Sequence, residues 1–131
     1  MMFVLDTNTL IYFFKGIGNV PANFLRIQPQ DIAIPCIVVF ELQTGIAKST
    51  SPQKRRRQLD ELLSNVTLLS FGRQEADHAA EIRASLEIAG MPIGPYDILI
   101  AATASANNAT LVTHNTKEFG RIAGLDIIDW Y

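Results

Sequence analysis

Short apolar segments alternate along this chain with longer segments of helical period. Residues 3–5 form a continuously apolar run, which is typical of a strand buried on both faces, and residues 32–34 have the same character. Three further strands are expected at residues 67–70, 110–113 and 125–128. Between them, helices are expected at about residues 7–15, 21–29, 37–48, from 52 onward, at 74–89 and at 96–107. Strands that alternate with helices predict a parallel sheet covered on both sides. The expected fold class is therefore a three-layer α/β domain.

Composition sets the size and class of the protein. The chain has 131 residues, of which 48% are hydrophobic and only 18% are charged, and its formal net charge is −2. Such a length predicts a single domain over residues 1–131, and the apolar content excludes disorder. The slightly acidic balance excludes a uniformly basic nucleic-acid binder.

The cysteine and the two histidines of the chain offer few candidate metal ligands. Cys36 is the only cysteine and suits a reducing cytoplasm, and with only His78 and His114 beside it no zinc-finger set is available. Asp6 interrupts the apolar N-terminal run, so no signal peptide and no membrane association are expected. His78 is expected on a solvated helix face. His114 is either a ligand contact after the fourth strand or a loop histidine with its hydrogen bonds satisfied.

Three isolated acids are the most informative feature. Asp6, Glu41 and Asp97 each lie in an otherwise uncharged stretch, and none has a Lys or Arg within four residues. A carboxylate in apolar surroundings is costly unless it is paired, protonated or bound to a cation. Taken singly, Asp6 or Asp97 could cap a helix and Glu41 could form a long-range ion pair.

The predicted topology favours a common site for these acids. Asp6 ends the first strand and Glu41 lies in the helix after the second, so both fall at the carboxyl edge of the sheet, where ligand crevices form. Asp97 begins a helix, where a carboxylate is stabilised by the helix dipole. Several acids without a Cys or His ligand set suit a hard divalent cation, Mg²⁺ or Mn²⁺.

A basic segment offers a second kind of chemistry. Its five positive charges are uninterrupted by acids and belong to Lys48, Lys54, Arg55, Arg56 and Arg57. They could bind nucleic-acid phosphates, or they could form a solvated face in which Arg56 pairs with Asp60 and Arg57 with Glu61. Both interpretations stay open.

Four ordered motifs carry a family resemblance. FVLDTN at 3–8, VVFEL at 38–42, PIGPYDILIA at 92–101 and LVTHNTKEF at 111–119 together resemble the PIN-domain ribonucleases, and specifically VapC toxins of bacterial toxin–antitoxin pairs. The resemblance covers essentially the whole chain. It implies a PIN-like five-stranded parallel sheet flanked by helices and a magnesium-dependent endoribonuclease.

The resemblance also implies roles for individual residues. Asp6, Glu41 and Asp97 match the acidic triad of the family, with Asp6 and Asp97 as direct metal ligands. Glu118 is the remaining acid of the fourth motif, whose first acid is replaced here by Asn115. The resemblance further implies that three polar residues orient ligands or water, namely Asn8, Thr113 and Asn115.

Substrate and partners follow from the same resemblance. The IGPYD and THNTKEF segments are similar to the subgroup that cuts initiator tRNA in its anticodon stem-loop. The family implies a VapB-type antitoxin, a homodimer and a higher assembly of the two. A non-catalytic RNA- or protein-binding module of the same fold, and a nuclease acting on ribosomal or messenger RNA, stay open as alternatives.

Overall fold

Five short strands and seven helices build the chain, and the computed structural model describes residues 1–131. The strands are β1 (Phe3–Leu5), β2 (Ile32–Pro35), β3 (Thr67–Leu69), β4 (Thr110–Val112) and β5 (Ile127–Ile128). The helices are α1 (Thr7–Lys15), α2 (Val20–Leu25), α3 (Cys36–Ala47), α4 (Pro52–Leu63), α5 (Arg73–Ile88), α6 (Pro95–Ala106) and α7 (Thr116–Phe119). None of the helices combines the length and the apolar character needed to cross a bilayer.

All neighbouring strands of the sheet run parallel, in the order β3-β2-β1-β4-β5. The central strand is β1, and the chain moves to one side of it through β2 and β3 before it returns to the other side for β4 and β5. This reversal creates a switch point between β1 and β4, where the adjoining loops diverge and leave a crevice. The predicted five-stranded parallel α/β fold is confirmed.

The core lies on both faces of the three inner strands. Val4 and Leu5 of β1 and Leu111 and Val112 of β4 are fully buried, which explains why these positions are apolar. Helix α6 is buried along most of its length, and its alanines allow its backbone to lie close to the sheet. The low charged fraction of the chain therefore reflects the buried inner strands and the buried middle of α6.

Three predicted boundaries are wrong. The second helix was expected to continue to about Pro29, but α2 ends at Leu25 because Gln28, which precedes Pro29, takes an extended conformation. A 3₁₀ turn, Pro29–Asp31, follows. The last strand begins at Ile127 rather than Leu125, since the Leu125 amide donates to the carbonyl of Ile122 within a turn.

The end of α5 also differs from the prediction. Ala89 was expected on the buried face of the helix, but α5 ends at Ile88 and Ala89 is exposed. The chain turns there through Gly90, whose φ of 71° is a left-handed value that glycine adopts without strain. Ala79 and Leu86, expected on the same face, are buried.

Candidate active site

The carboxyl edge of the sheet brings together acids from four parts of the chain. Asp6 directly follows β1, and Glu41 lies in α3, which leaves β2. Helix α6 precedes β4 and runs antiparallel to it, so Asp97 near the start of α6 reaches the same edge. Glu118 lies in α7, just after β4. Residues far apart in sequence therefore meet where the switch point opens the sheet.

Asp6 is almost completely buried and shapes the entry into α1. Its exposed fraction is 5%, and its Oδ1 accepts a hydrogen bond of 2.9 Å from the Thr9 amide as the N-cap of the helix. Burial raises the pKa of Asp6, hydrogen bonds from Thr113 and Thr9 oppose that rise, and the charge of Asp129 adds to it. A role as helix cap explains the hydrogen bond from the Thr9 amide. It does not explain why a carboxylate is buried here without a cationic partner.

Asp97 is the acid most affected by its neighbours. Its pKa is raised from 3.8 to about 6, and burial of the carboxyl is the largest cause. The negative charges of three other acids raise it further, those of Asp6, Glu41 and Glu118. Three carboxylates therefore repel Asp97 across one crevice, and a divalent cation would relieve that repulsion.

Glu41 has a hydrogen-bond partner that the sequence interpretation missed. The Thr7 hydroxyl donates to Glu41 Oε1 at 2.7 Å, across 34 residues of sequence. Asn8, which was expected to serve the site, is exposed and makes no side-chain hydrogen bond to any of the four acids. The sequence feature that could have identified Thr7 as part of the site is its position directly after Asp6 in the FVLDTN motif.

A chain of hydrogen bonds joins the fourth acid to the loop after β4. Asn115 Nδ2 donates to Glu118 Oε2 at 3.2 Å, and Asn115 Oδ1 accepts from the Glu118 amide at 3.4 Å. The Asn115 amide donates in turn to Thr113 Oγ1 at 3.0 Å. Thr113 is fully buried and also bonds to the Asp6 side chain, so it links Asp6 to this loop.

The donor set fits a hard divalent cation in its chemistry. The ion pairs of the chain join Arg73 to Asp77 and Arg83 to Glu87, so no Lys or Arg neutralises any acid of the crevice. Oxygen-only ligands and accumulated negative charge are what Mg²⁺ binding requires. No group of three acids lies close enough together to share one ion, so binding through three of them requires side-chain movement.

A cavity of about 280 Å³ lies beside the acids rather than among them. It is bounded by α1, α3 and α4. Its wall includes Glu41 at the acidic crevice, together with Lys15 and Arg55 and apolar side chains such as Phe14 and Ile46. Asp6, Asp97 and Glu118 do not line it, so we assign the chemistry to the crevice and not to this cavity.

The basic segment is solvent-exposed and free of the expected ion pairs. Lys48, Lys54 and Arg55–Arg57 are all exposed at the end of α3 and along the first half of α4. Neither the Arg56–Asp60 pair nor the Arg57–Glu61 pair forms, so the solvated-face interpretation stands without the ion pairs that the sequence spacing allowed. The side chains extend into water, where nothing in the fold restrains them.

The two histidines of the chain lie in different environments. His78 was expected to be solvated, but it is half-buried between α5 and α6, and its Nδ1 lies 3.1 Å from the Ser105 hydroxyl. His114 is a loop histidine whose Nδ1 lies 2.9 Å from Asp129 Oδ2. Sequence reasoning missed Asp129, although it directly follows β5 just as Asp6 directly follows β1.

Replacing Asp97 with Asn should stabilise the metal-free protein at neutral pH. Because the pKa of Asp97 is raised in the folded state, the folded protein holds this proton at a pH where the unfolded chain has already lost it. The free energy of unfolding therefore falls as pH rises from about 4 to about 6, and the full destabilisation by the ionised Asp97 is reached above that range. Asp97 is only half-buried and solvent screens part of the effect, so we expect a gain of about 1–2 kcal/mol in the free energy of unfolding.

Urea unfolding in EDTA at pH 4 and pH 7.5 measures this effect. The two proteins should differ little at pH 4, and Asp97→Asn should be the more stable at pH 7.5. Asp126→Asn is the matched control, since Asp126 is exposed at the opposite edge of the sheet. A variant that is less stable than wild type at pH 7.5 would contradict the assignment of repulsion to Asp97.

Comparison with known proteins gives consistent matches over the full length. The PIN-domain family model matches residues 3–125. Ribonuclease VapC2 of Rickettsia felis is 39% identical over 132 residues, covering 99% of this chain and 98% of the relative. The tRNA(fMet)-specific endonuclease VapC of Salmonella typhimurium is 35% identical over 130 residues, again with 99% and 98% coverage.

A solved structure matches equally well. The Rickettsia felis VapBC2 complex, determined bound to a DNA fragment from its promoter, contains a chain that superimposes with a TM-score of 0.92. That chain is 38% identical, and the match covers 100% of both chains.

Proposed function

This chain belongs to the PIN-domain family and, within it, to the VapC ribonucleases of bacterial toxin–antitoxin pairs, and on that premise we propose which RNA it cuts and how its crevice acts. It hydrolyses a phosphodiester bond of initiator tRNA with Mg²⁺ as cofactor. The observation that carries the proposal is the crevice of four acids without a cationic partner, in which Asp97 has a pKa of about 6.

Each acid has a proposed role. Asp6 and Asp97 hold the metal, because Asp6 is nearly buried at the switch point and Asp97 carries the strongest repulsion from the other three. Glu41 and Glu118 complete the negative site from either side. When bound, Mg²⁺ would supply polarisation of a phosphate oxygen and a lowered pKa for the attacking water.

Neighbouring polar groups position these acids. The Thr7 hydroxyl directs one oxygen of Glu41, and the Thr113 hydroxyl holds Asp6. Asn115 orients Glu118 through two hydrogen bonds. The Asn115 side chain stands where the family motif has an acid, and its amide group can donate to Glu118. Asn8 faces solvent at the start of α1, where contact with RNA is a role open to it.

The choice of RNA rests on the relatives. The Salmonella typhimurium relative is named for tRNA(fMet), and a second relative with that name, from Shigella flexneri, is 33% identical over 133 residues. The IGPYD segment and the Asn115-containing motif support the same subgroup. Initiator tRNA is a cytoplasmic molecule, so the chain would act in that compartment.

The partner of the toxin is a VapB-type antitoxin. The matched complexes from Rickettsia felis and Salmonella typhimurium contain VapB together with VapC. We extend the expectation of a homodimer and of a higher assembly with the antitoxin to this chain.

End mapping of RNA products tests the substrate. Purified protein is incubated with total RNA and with initiator tRNA in Mg²⁺, and the 5′ ends of the products are sequenced. Cuts confined to the anticodon stem-loop of initiator tRNA would support the proposal. Cuts confined to ribosomal or messenger RNA would overturn the substrate while keeping the nuclease, and an absence of cuts would favour a binding module.

Removing three charges from α4 should weaken RNA binding. Replacing Arg55, Arg56 and Arg57 together with Gln deletes exposed cations that are free of ion pairs and available to phosphates. We expect about tenfold weaker binding at moderate salt, and a slope of log K against log salt reduced by about 2. Binding is measured in the Asp6→Asn background so that RNA is not consumed.

A paired arginine provides the control for this experiment. Arg83 forms an ion pair with Glu87 at 2.6 Å on α5, and Arg83→Gln should leave the salt slope unchanged. An unchanged slope in the triple variant would instead show that α4 presents only a solvated face.

A further inference from the structure

Two stacked aromatic rings lie on one side of the acidic crevice. The rings of His114 and Tyr131 have centroids 4.1 Å apart and planes inclined by only 18°. Tyr12 on α1 meets both rings edge-on, at 6.1 Å from His114 and 5.2 Å from Tyr131. The site described above uses none of these three rings.

Hydrogen bonds hold this stack in place. Asp129 contacts both of its members, since Oδ2 lies 2.9 Å from His114 Nδ1 and Oδ1 accepts from the Tyr131 amide at 2.8 Å. The carbonyl of Tyr131 accepts a further bond of 2.7 Å from the Asn19 amide. Gly18 packs so closely that a Cβ there would lie 2.8 Å from that carbonyl oxygen. The ring positions are therefore fixed before any ligand arrives.

The stack adjoins the acids. His114 lies two residues after Val112, whose carbonyl accepts a hydrogen bond of 3.2 Å from the Asp6 amide. Asp129, which contacts the His114 ring and the Tyr131 amide, is close enough for its charge to act on Asp6. The stack is therefore within reach of the groups that adjoin a phosphate bound in the crevice.

The exposed parts of the stack suit a flat, polar-edged ligand. The His114 side chain is 45% exposed and Tyr131 is 43% exposed, although their rings are already ordered. Imidazole and phenol rings combine a π face with polar edges, and stacking of bases on such rings is a general mode of single-strand RNA binding. A base inside a duplex has both of its faces covered and could not use the stack.

We propose that the His114–Tyr131 stack is a nucleobase subsite, which receives an unpaired base of the RNA close to the bond that is cut. The proposal rests on the proposed RNA hydrolysis and adds a specificity element to it. The subsite selects loop nucleotides over paired ones, because only an unpaired base can lie against the rings while its phosphate reaches the acids.

Steady-state cleavage of an anticodon stem-loop RNA tests the subsite. His114→Ala should raise KM about tenfold and change kcat less, since stacking contributes mainly to binding. His114→Phe keeps a ring without the bond to Asp129 and should restore most of the lost affinity. His78→Ala is the matched control, because it removes an imidazole that contacts Ser105 near the far end of α6.

Binding without cleavage gives an independent readout. In the Asp6→Asn background, an RNA loop carrying 2-aminopurine should lose fluorescence on binding as the base stacks, and adding His114→Ala should abolish that quenching. Thermal unfolding of each variant shows whether the domain has kept its fold. Tyr131→Phe retains the ring and should bind like the parent protein.

The outcomes separate the subsite from the proposed function. Wild type that cuts RNA, with KM and quenching unchanged in His114→Ala, would overturn the subsite alone. The subsite would also be overturned if His114→Ala weakened only antitoxin binding or self-association, because the stack would then be a protein contact. Wild type that neither cuts nor binds RNA would overturn the proposed function and the subsite with it.

Discussion

Replacing Asp6 with Asn should reduce RNA cleavage by about a thousandfold or more while the domain stays folded. Loss of groups that merely orient metal ligands costs about 10- to 100-fold, and removal of a ligand charge at the centre of the site should cost more. The fold should tolerate the change because the amide oxygen of Asn can still accept the Thr9 hydrogen bond that caps α1. Cleavage rates and circular dichroism measured on the same preparation separate the two effects.

The control for this variant is another aspartate of the same chain. Asp126 is exposed at the opposite edge of the sheet, so Asp126→Asn changes the net charge equally and should cut RNA like wild type. Activity above about a tenth of wild type in Asp6→Asn would contradict a ligand role for Asp6. Loss of structure in the variant would shift the test to Asp97→Asn, for which the same loss of cleavage is expected.

The fold could be predicted because its central strands are buried on both faces. The segments Phe3–Leu5 and 32–34 are apolar at every position, and helices between parallel strands leave few alternative topologies. The errors fall at element ends, where local bonds decide. The extended Gln28 before Pro29 and the turn that holds Leu125 depend on contacts that periodicity does not encode.

The acids of the site could be predicted because each is isolated in sequence. Burial in the structure explains that isolation for Asp6 and Asp97, since a nearby lysine or arginine would itself have to be buried in this apolar edge. Their roles in metal binding stay a prediction. The spacing of charged residues along the sequence identified these acids, but it does not determine which hydrogen bonds orient them.

The partners of the acids could not be predicted because they come from distant segments. The bond from Thr7 to Glu41 depends on how α3 is rotated against α1, and the effect of Asp129 on Asp6 depends on β5 lying two strands away from β1. The ion pairs on α4 that the sequence spacing allowed do not form, and the reason is different. Exposed arginines on α4 gain little from pairing in water, so sequence spacing alone does not determine whether they pair.

Removal of divalent cations should suppress cleavage by at least about a hundredfold. Without a cation, the negative charges of the crevice face the negative phosphodiester of the substrate, and the raised pKa of Asp97 shows that three acids already repel its carboxylate. Adding Mg²⁺ back should restore the rate, and Mn²⁺ should replace it. Monovalent salt at the same ionic strength should not, because screening does not supply a Lewis acid.

The rate of initiator tRNA cleavage as a function of free Mg²⁺ tests the central claim most directly. Wild type is assayed from excess EDTA up to saturating Mg²⁺, beside Asp6→Asn and Asp126→Asn. We predict a rate near zero in EDTA that rises to a plateau for wild type and Asp126→Asn, and a rate near zero throughout for Asp6→Asn. Equal cleavage in EDTA and in Mg²⁺, or a rising curve for Asp6→Asn that matches wild type, would contradict a metal-dependent site built on these acids.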